Sequence, residues 1–367
     1  MLSIERSRAL WIAGFATMLA VGSDAQTLSN PDISLVGDMR AIGRSAETAD
    51  STGEQELSFE FEELEFDFNA YLNPYMRADV FVGIHGTGPD IEIEEAVLTV
   101  LRGLPAALQF SVGQYLLDFG KINTQHPHQW SWMDRPLAHR TMLGDEGLKA
   151  LGARLTTLIP VGETALGLSA SAFSGSAFES HEHGDEGGEE EEAAAEIMGS
   201  GRVSLFRQLS DVWSAELGGS YLAGNYDPVE PLYTSIGAVD WKLRWRPSSY
   251  QAFVWVFETM RSEREIEPDS LAVEIPTVDA WGAFTSAEFQ WRKRWSAGGF
   301  YDWTQDATVQ DAEATAYGAY LDFWPVEETA RIGLVYRHET SDLYPYDNDI
   351  LTLQFVWGMG PHKVHTF

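Results

Sequence analysis

The chain has 367 residues, with 24 Lys and Arg against 56 Asp and Glu, a formal net charge of −32 and no cysteine. This balance excludes a nucleic-acid partner, whose backbone selects basic surfaces, and favours cations as the attracted species. The lack of cysteine removes disulfide stapling, thiol ligands and thiol nucleophiles.

At the N-terminus Arg6 and Arg8 precede an apolar stretch from Leu10 to Val21, and Ser23-Asp24-Ala25 sets small residues before Gln26. This pattern predicts a cleaved export signal over residues 1–25. The stretch is shorter than the about 20 residues a spanning helix needs. Residues 26–367 are then expected to carry one fold. No later apolar run reaches transmembrane-helix length, which excludes a helical inner-membrane transporter.

The rest of the chain is built from short blocks in which every second residue is apolar. Asp32 to Arg40 is the first predicted strand, followed by a Ser/Thr/Glu-rich loop. Leu57 to Tyr71 carries Leu57, Phe59 and Phe61 in one phase and Leu64, Phe66 and Phe68 in the other, the signature of a β-bulge. Asn73-Pro74 turns into Tyr75–Ile84, where Met76, Ala78, Val80 and Val82 are expected to face outward, with Arg77 and Asp79 inward. Glu92–Arg102 pairs with Ala107–Asp118, and the long segment 119–147 follows. Leu148–Leu158 and Thr164–Phe173 meet through Ile159-Pro160-Val161-Gly162. Segment 174–200 is the most biased of the chain.

Arg202–Leu209 and Val212–Ala223 are joined almost directly. Tyr233, Val239, Trp241, Leu243 and Trp245 then share one face, opposite Thr234, Asp240, Lys242, Arg244 and Arg246. Turns are expected at Pro247-Ser248, at Arg292-Lys293-Arg294 and around Pro325, and Asn348–Gly358 closes the sheet with Leu351, Leu353, Phe355 and Trp357 outward. The 13 Trp, 13 Tyr and 19 Phe concentrate at block edges, as aromatic girdles at two lipid–water interfaces would require. Hydrocarbon offers the backbone no partner, so a chain without apolar helices spans it only as a closed sheet. The fold class is therefore all-β: a single antiparallel transmembrane β-barrel of about sixteen strands. Short turns lie on the periplasmic side and long loops outside.

Several segments together resemble a family of bacterial outer-membrane β-barrel, porin-like proteins of poorly defined cargo. These are Tyr71-Leu72-Asn73-Pro74-Tyr75-Met76-Arg77-Ala78-Asp79-Val80, Gly113-Gln114, Phe119-Gly120-Lys121, His126-Pro127-His128, Asp134-Arg135-Pro136, Gly144-Asp145-Glu146-Gly147 and Gly360-Pro361-His362-Lys363. The resemblance implies passage or binding of small solutes and a link with zinc-regulated uptake, and it supplies no catalytic residues. Outer-membrane lipid, small hydrophilic solutes or cations and the barrel-assembly machinery are the expected partners.

Segment 119–147 holds Lys121, His126, His128, Asp134, Arg135 and His139. It is read either as a loop constricting the lumen or as a loop packed on the rim. Asp118 is expected to pair with Lys121. Channel-lining candidates are Arg77, Asp79, Asp118, Lys121, His126, His128, Asp134, Arg135, His139, Lys242 and Arg244. The last two, with Arg246, form a basic stripe that would face an acidic loop and set a transverse field. His181, His183, Asp185 and Glu186 in the 174–200 loop offer imidazole and carboxylate ligands for weak, exchangeable divalent-metal binding, or else form a solvated acidic tract. No cofactor is required.

The favoured function is passive, cation-biased passage of small hydrophilic solutes, with a divalent metal such as zinc as specific cargo, and no enzymatic activity. The alternatives are a barrel hydrolase acting on lipid or peptide and a plugged structural or adhesion barrel. No Gly-x-Ser-x-Gly, His-Glu-x-x-His or phosphate-loop pattern supports an enzyme.

Overall fold

Alternation with period two continues far enough along this chain to close on itself. The computed structural model describes residues 31–45, 56–86, 90–178, 196–227, 231–267, 275–326 and 329–360. They form sixteen strands in a closed antiparallel barrel. The first eight are β1 (Asp32–Arg44), β2 (Glu56–Asn73), β3 (Met76–His85), β4 (Asp90–Val100), β5 (Gln109–Leu116), β6 (Lys149–Val161), β7 (Thr164–Ser174) and β8 (Ile197–Gln208). The second eight are β9 (Trp213–Asn225), β10 (Tyr233–Ser248), β11 (Gln251–Glu265), β12 (Thr277–Trp291), β13 (Trp295–Gln305), β14 (Glu313–Val326), β15 (Ala330–Ser341) and β16 (Tyr344–Met359). Each pairs with its sequence neighbours, and β1 closes the ring on β16 from Leu35↔Met359 to Arg44↔Ile350. Closure leaves no unpaired strand edge.

The expected faces are observed. Along β10, Thr234, Ile236, Ala238 and Asp240 are buried inside while Tyr233 and Val239 are exposed. On β16, Leu351, Leu353 and Phe355 point out and Thr352 and Gln354 point in. Aromatic residues gather at the short-turn end, where Trp213 pairs with Trp245, Trp291 with Trp295 and Trp295 with Phe323. A second set lies towards the long-loop end: Tyr221, Tyr233, Trp281, Tyr301, Tyr317 and Tyr336 are all exposed. Between them the outward side chains are mostly apolar, among them Met39, Val239, Trp255, Leu334, Leu353 and Phe355, and form a continuous apolar band. Leu353→Arg is expected to destabilise the barrel in a lipid bilayer by about 2–4 kcal/mol. Denaturant titration in bilayers would read that change, and an unchanged midpoint would mean that the face does not meet lipid.

Two bulges shape the interior. Asp38 pairs with Glu63 and Met39 with Phe61, so Glu62 is the extra residue of β2, at the phase slip visible in the sequence. A second lies in β4, where Phe81 pairs with Glu95 and Val82 with Ile93, leaving Glu94 extra. Each bulge turns two consecutive glutamates inward, Glu62 with Glu63 and Glu94 with Glu95, because the inserted residue resets the pleat.

Some element ends differ from expectation. β6, β10 and β14 run through Pro160, Pro247 and Pro325 instead of stopping there. The ladder slips between Trp245 and Ser248 and between Phe323 and Val326, so Pro247 and Pro325 sit where a missing N–H costs nothing. The closing strand starts at Tyr344, four residues before the expected Asn348.

Candidate functional site

The segment between β5 and β6 turns into the barrel and packs against its walls. Its short helix α1 (Leu137–Leu143) is preceded by a 3-10 turn at Pro127–Gln129. Two apolar faces hold it. Phe119, Ala138, Met142 and Leu143 bury against Phe173, Leu222, Ile236, Met260 and Ala280. Ile122, Trp130, Met133 and Leu137 bury against Phe284, Phe300, Tyr320 and Val335.

Wall polar groups fasten the loop at fixed points. Glu258 on β11 accepts from the Lys121 N–H at 2.7 Å and from the Ile122 N–H at 3.3 Å, and lies 2.9 Å from His139 Nε2. Asp302 accepts from the Leu137 N–H at 2.5 Å, and Arg264 donates to the Met142 carbonyl at 2.9 Å. Arg40 Nη1 lies 3.0 Å from Asp134 Oδ1, and Arg331 donates to the His128 carbonyl at 3.0 Å. Arg331 also reaches Gln354, which donates to Asp38, so the closing strands and the loop share one buried network.

The residues expected to line a channel take the following positions. Arg77 and Asp79 form an inward ion pair of 2.6 Å on β3. Asp118 and Lys121 do not pair as expected: Asp118 faces Arg202 at 3.6 Å and Lys121 reaches Glu216 at 2.6 Å. Wall charges reach both from the opposite direction, which the local sequence does not reveal. Arg135 lies 5.1 Å over the Trp130 ring and donates to the Glu146 carbonyl, and burial lowers its pKa to about 10. Glu146 is held below the usual carboxylate range; burial opposes this but Lys149 outweighs it. Lys242 and Arg244 lie on the inward phase of β10, eight strands from β2 and so across the barrel. Among the described residues, the acid opposite this basic stripe is on the wall β2–β4; most of the acidic 174–200 loop lies outside them. His181, His183, Asp185 and Glu186 lie outside the described residues.

The densest cluster is at His126. Its Nδ1 lies 2.9 Å from Glu65 Oε2 and 2.9 Å from Glu94 Oε2, while Nε2 lies 3.2 Å from Glu95 Oε1. His128 stacks on it at 5.8 Å between ring centres and faces Glu63 and Glu65 at 3.8 Å, and His85 lies 3.4 Å from Glu94. Burial lowers the pKa of both loop imidazoles, but Glu65 and its neighbouring carboxylates outweigh it. They hold His126 well above the usual histidine value and raise His128 as well. The four glutamates and His85 were not among the expected site residues. The doubled Glu62-Glu63 at the visible phase slip and Glu94-Glu95 in β4 were the available signals.

A cavity of about 350 Å³ on the long-loop side is lined by Glu63, Glu94, His126 and Asp134. A second of about 530 Å³, between the loop and the β6–β9 wall, contains Lys121, Thr124, Arg202 and Glu216. A small cavity of about 80 Å³ meets His126 on one side and Thr124 on the other, so it shares residues with both.

No family model matches the chain. An uncharacterized protein of Aquifex aeolicus (strain VF5) is 34% identical over 147 residues, covering 36% of this chain and 31% of that protein, so the match spans about a third of the relative. Among solved structures, the anion-selective porin of Comamonas acidovorans superposes with a TM-score of 0.58 at 10% identity, over 90% of this chain and 99% of the porin. The outer-membrane channel DcaP of Acinetobacter baumannii gives 0.55 at 12% identity, over 90% and 98% of the two chains. A loop-deleted OmpT, an outer-membrane protein of Vibrio cholerae, gives 0.56 at 10% identity, over 90% and 100%. At these identities the likeness is one of fold: a porin-like barrel.

Proposed function

We propose that the chain is an outer-membrane, porin-like channel for passive passage of small hydrophilic solutes, biased towards cations, with divalent metal as the favoured specific cargo. The observation that carries this reading is the set of three adjoining luminal cavities, which share the lining residues His126 and Thr124, inside a barrel that is apolar outside. The inward loop occupies part of the lumen and leaves these cavities beside it. The cation bias rests on Glu62, Glu63, Glu65, Glu92, Glu94 and Glu95 along one wall. With Lys242 and Arg244 opposite, they set a field across the lumen that sorts permeants by charge. The tract His181, His183, Asp185 and Glu186 adds weak binding that concentrates cations near the mouth.

Proteoliposomes test passage directly. Vesicles carrying the barrel should swell in small sugars and amino acids, and not in large oligosaccharides. Vesicles that swell no faster than protein-free ones would remove the channel reading.

One observation favours a second reading, a barrel hydrolase. At the outer rim His338 Nδ1 lies 2.8 Å from Asp349, which also accepts from the Tyr336 hydroxyl at 2.7 Å. Such a pair orients an imidazole for acid–base work. Hydrolysis of a lipid or peptide substrate that disappears in His338→Ala would support it, and its absence in the intact barrel would dismiss it.

A further inference from the structure

The bulged glutamates and His126 place more acceptors together than the protein's own hydrogens serve. Ligand atoms of Glu63, Glu65, Glu94 and His126, all buried, lie within 4.8 Å of one another. His126 Nδ1 carries at most one hydrogen, yet two carboxylate oxygens sit 2.9 Å from it. Glu65 Oε2 and Glu94 Oε2 are enclosed and compete for that one position, and the enclosed Glu63 Oε1 makes no hydrogen bond among the described residues. Leaving charged oxygens buried in that state is costly.

We propose that Glu63, Glu65, Glu94 and His126 bind one divalent transition-metal cation at the junction between the luminal cavities. Three features beyond the acidic cluster support this. The imidazole is already held from behind: Nε2 faces Glu95 at 3.2 Å, so a cation that takes the place of the Nδ1 proton would leave Nε2–H donating to that carboxylate. This is the usual outer-shell arrangement of a ligating histidine. The two oxygens nearest Nδ1, on Glu65 and Glu94, share that single position. The distances are also close to those required: a tetrahedral ion with bonds of about 2.1 Å sets ligand atoms about 3.4 Å apart.

Ligation would open the two 2.9 Å contacts by about 0.5 Å and close the wider spacings, which reach at most 4.8 Å, by up to about 1.4 Å. A set of three carboxylates and one imidazole suits Zn²⁺ or Mn²⁺ and discriminates against Ca²⁺ and Mg²⁺, which prefer an all-oxygen shell. The 350 Å³ cavity opens directly on Glu63, Glu94 and His126, which supplies an entry path. The inference is independent of whether the barrel conducts.

The test is calorimetric titration of the refolded, EDTA-stripped full-length barrel with ZnCl₂, with MgCl₂ as the competing probe. One tight site per chain is expected, weakened by about 100-fold in Glu65→Gln and in Glu94→Gln. His181→Ala/His183→Ala should remove only weaker sites. Absence of a tight site, or its loss in the His181/His183 variant and not in the glutamate variants, would overturn the proposal. Zinc-edge X-ray absorption of the one-to-one wild-type complex does not depend on variant folding. It should report one imidazole with oxygen ligands, and two or more imidazoles would contradict the assignment. A barrel that binds zinc yet fails to swell vesicles would sink the channel reading alone.

Discussion

Glu258→Ala is expected to release the inner loop from the wall. The carboxylate is fully enclosed and serves the Lys121 and Ile122 N–H groups together with His139 Nε2. Its removal strands several donors in a site closed to water, at about 3–5 kcal/mol in total. That shifts the docking equilibrium of the loop by at least about 100-fold. Limited proteolysis should then cut between residues 119 and 147 in the variant and not in the wild type, while the heat-resistant barrel persists on a gel. Gly120→Ala should reproduce this. Gly120 has a φ of +62°, and an added Cβ would overlap the Glu258 carboxylate. Equal protease resistance in both variants would mean that apolar packing alone holds the loop.

Asp240→Ala should destabilise the barrel itself. Arg202 on β8 reaches across β9 to form a bidentate pair with Asp240 at 2.6 and 3.0 Å, and also donates to Ser220 at 3.0 Å. Both side chains are almost entirely buried. Breaking such a pair leaves the buried guanidinium with only the longer 3.6 Å contact to the part-exposed Asp118, a loss of up to about 3–5 kcal/mol. Replacing both partners, as in Arg202→Met/Asp240→Leu, should recover much of it, because no charge is then stranded. Urea unfolding of the single and double variants measures the difference. A double variant no better than Asp240→Ala would show that the pair stabilises by its packing rather than by its charge.

The barrel was legible because alternation is a local property. Val239, Trp241, Leu243 and Trp245 announce their face without reference to any other strand. The bulge of β2 was legible for the same reason, as a slip between Phe61 and Leu64. The bulge of β4 was not, since Ile91, Ile93, Ala96 and Leu98 blur the phase with a small residue. Contacts of the inner loop are harder still. His126 meets Glu65 and Glu94, 61 and 32 positions away in the numbering, and Lys121 meets Glu258 at a separation of 137. Nothing near Lys121 states that its N–H will need a carboxylate from β11. The composition of the loop identified which side chains matter; barrel closure decided what they touch.

The reversal potential of single channels in a planar bilayer under a salt gradient tests the central claim most directly. The account predicts stepwise conductance with a potential of the sign set by cation flow. Lys242→Glu/Arg244→Glu should move it further that way, by about tenfold in permeability ratio at low salt. A bilayer without conductance steps, or a wild-type potential of the sign set by anion flow, would contradict it.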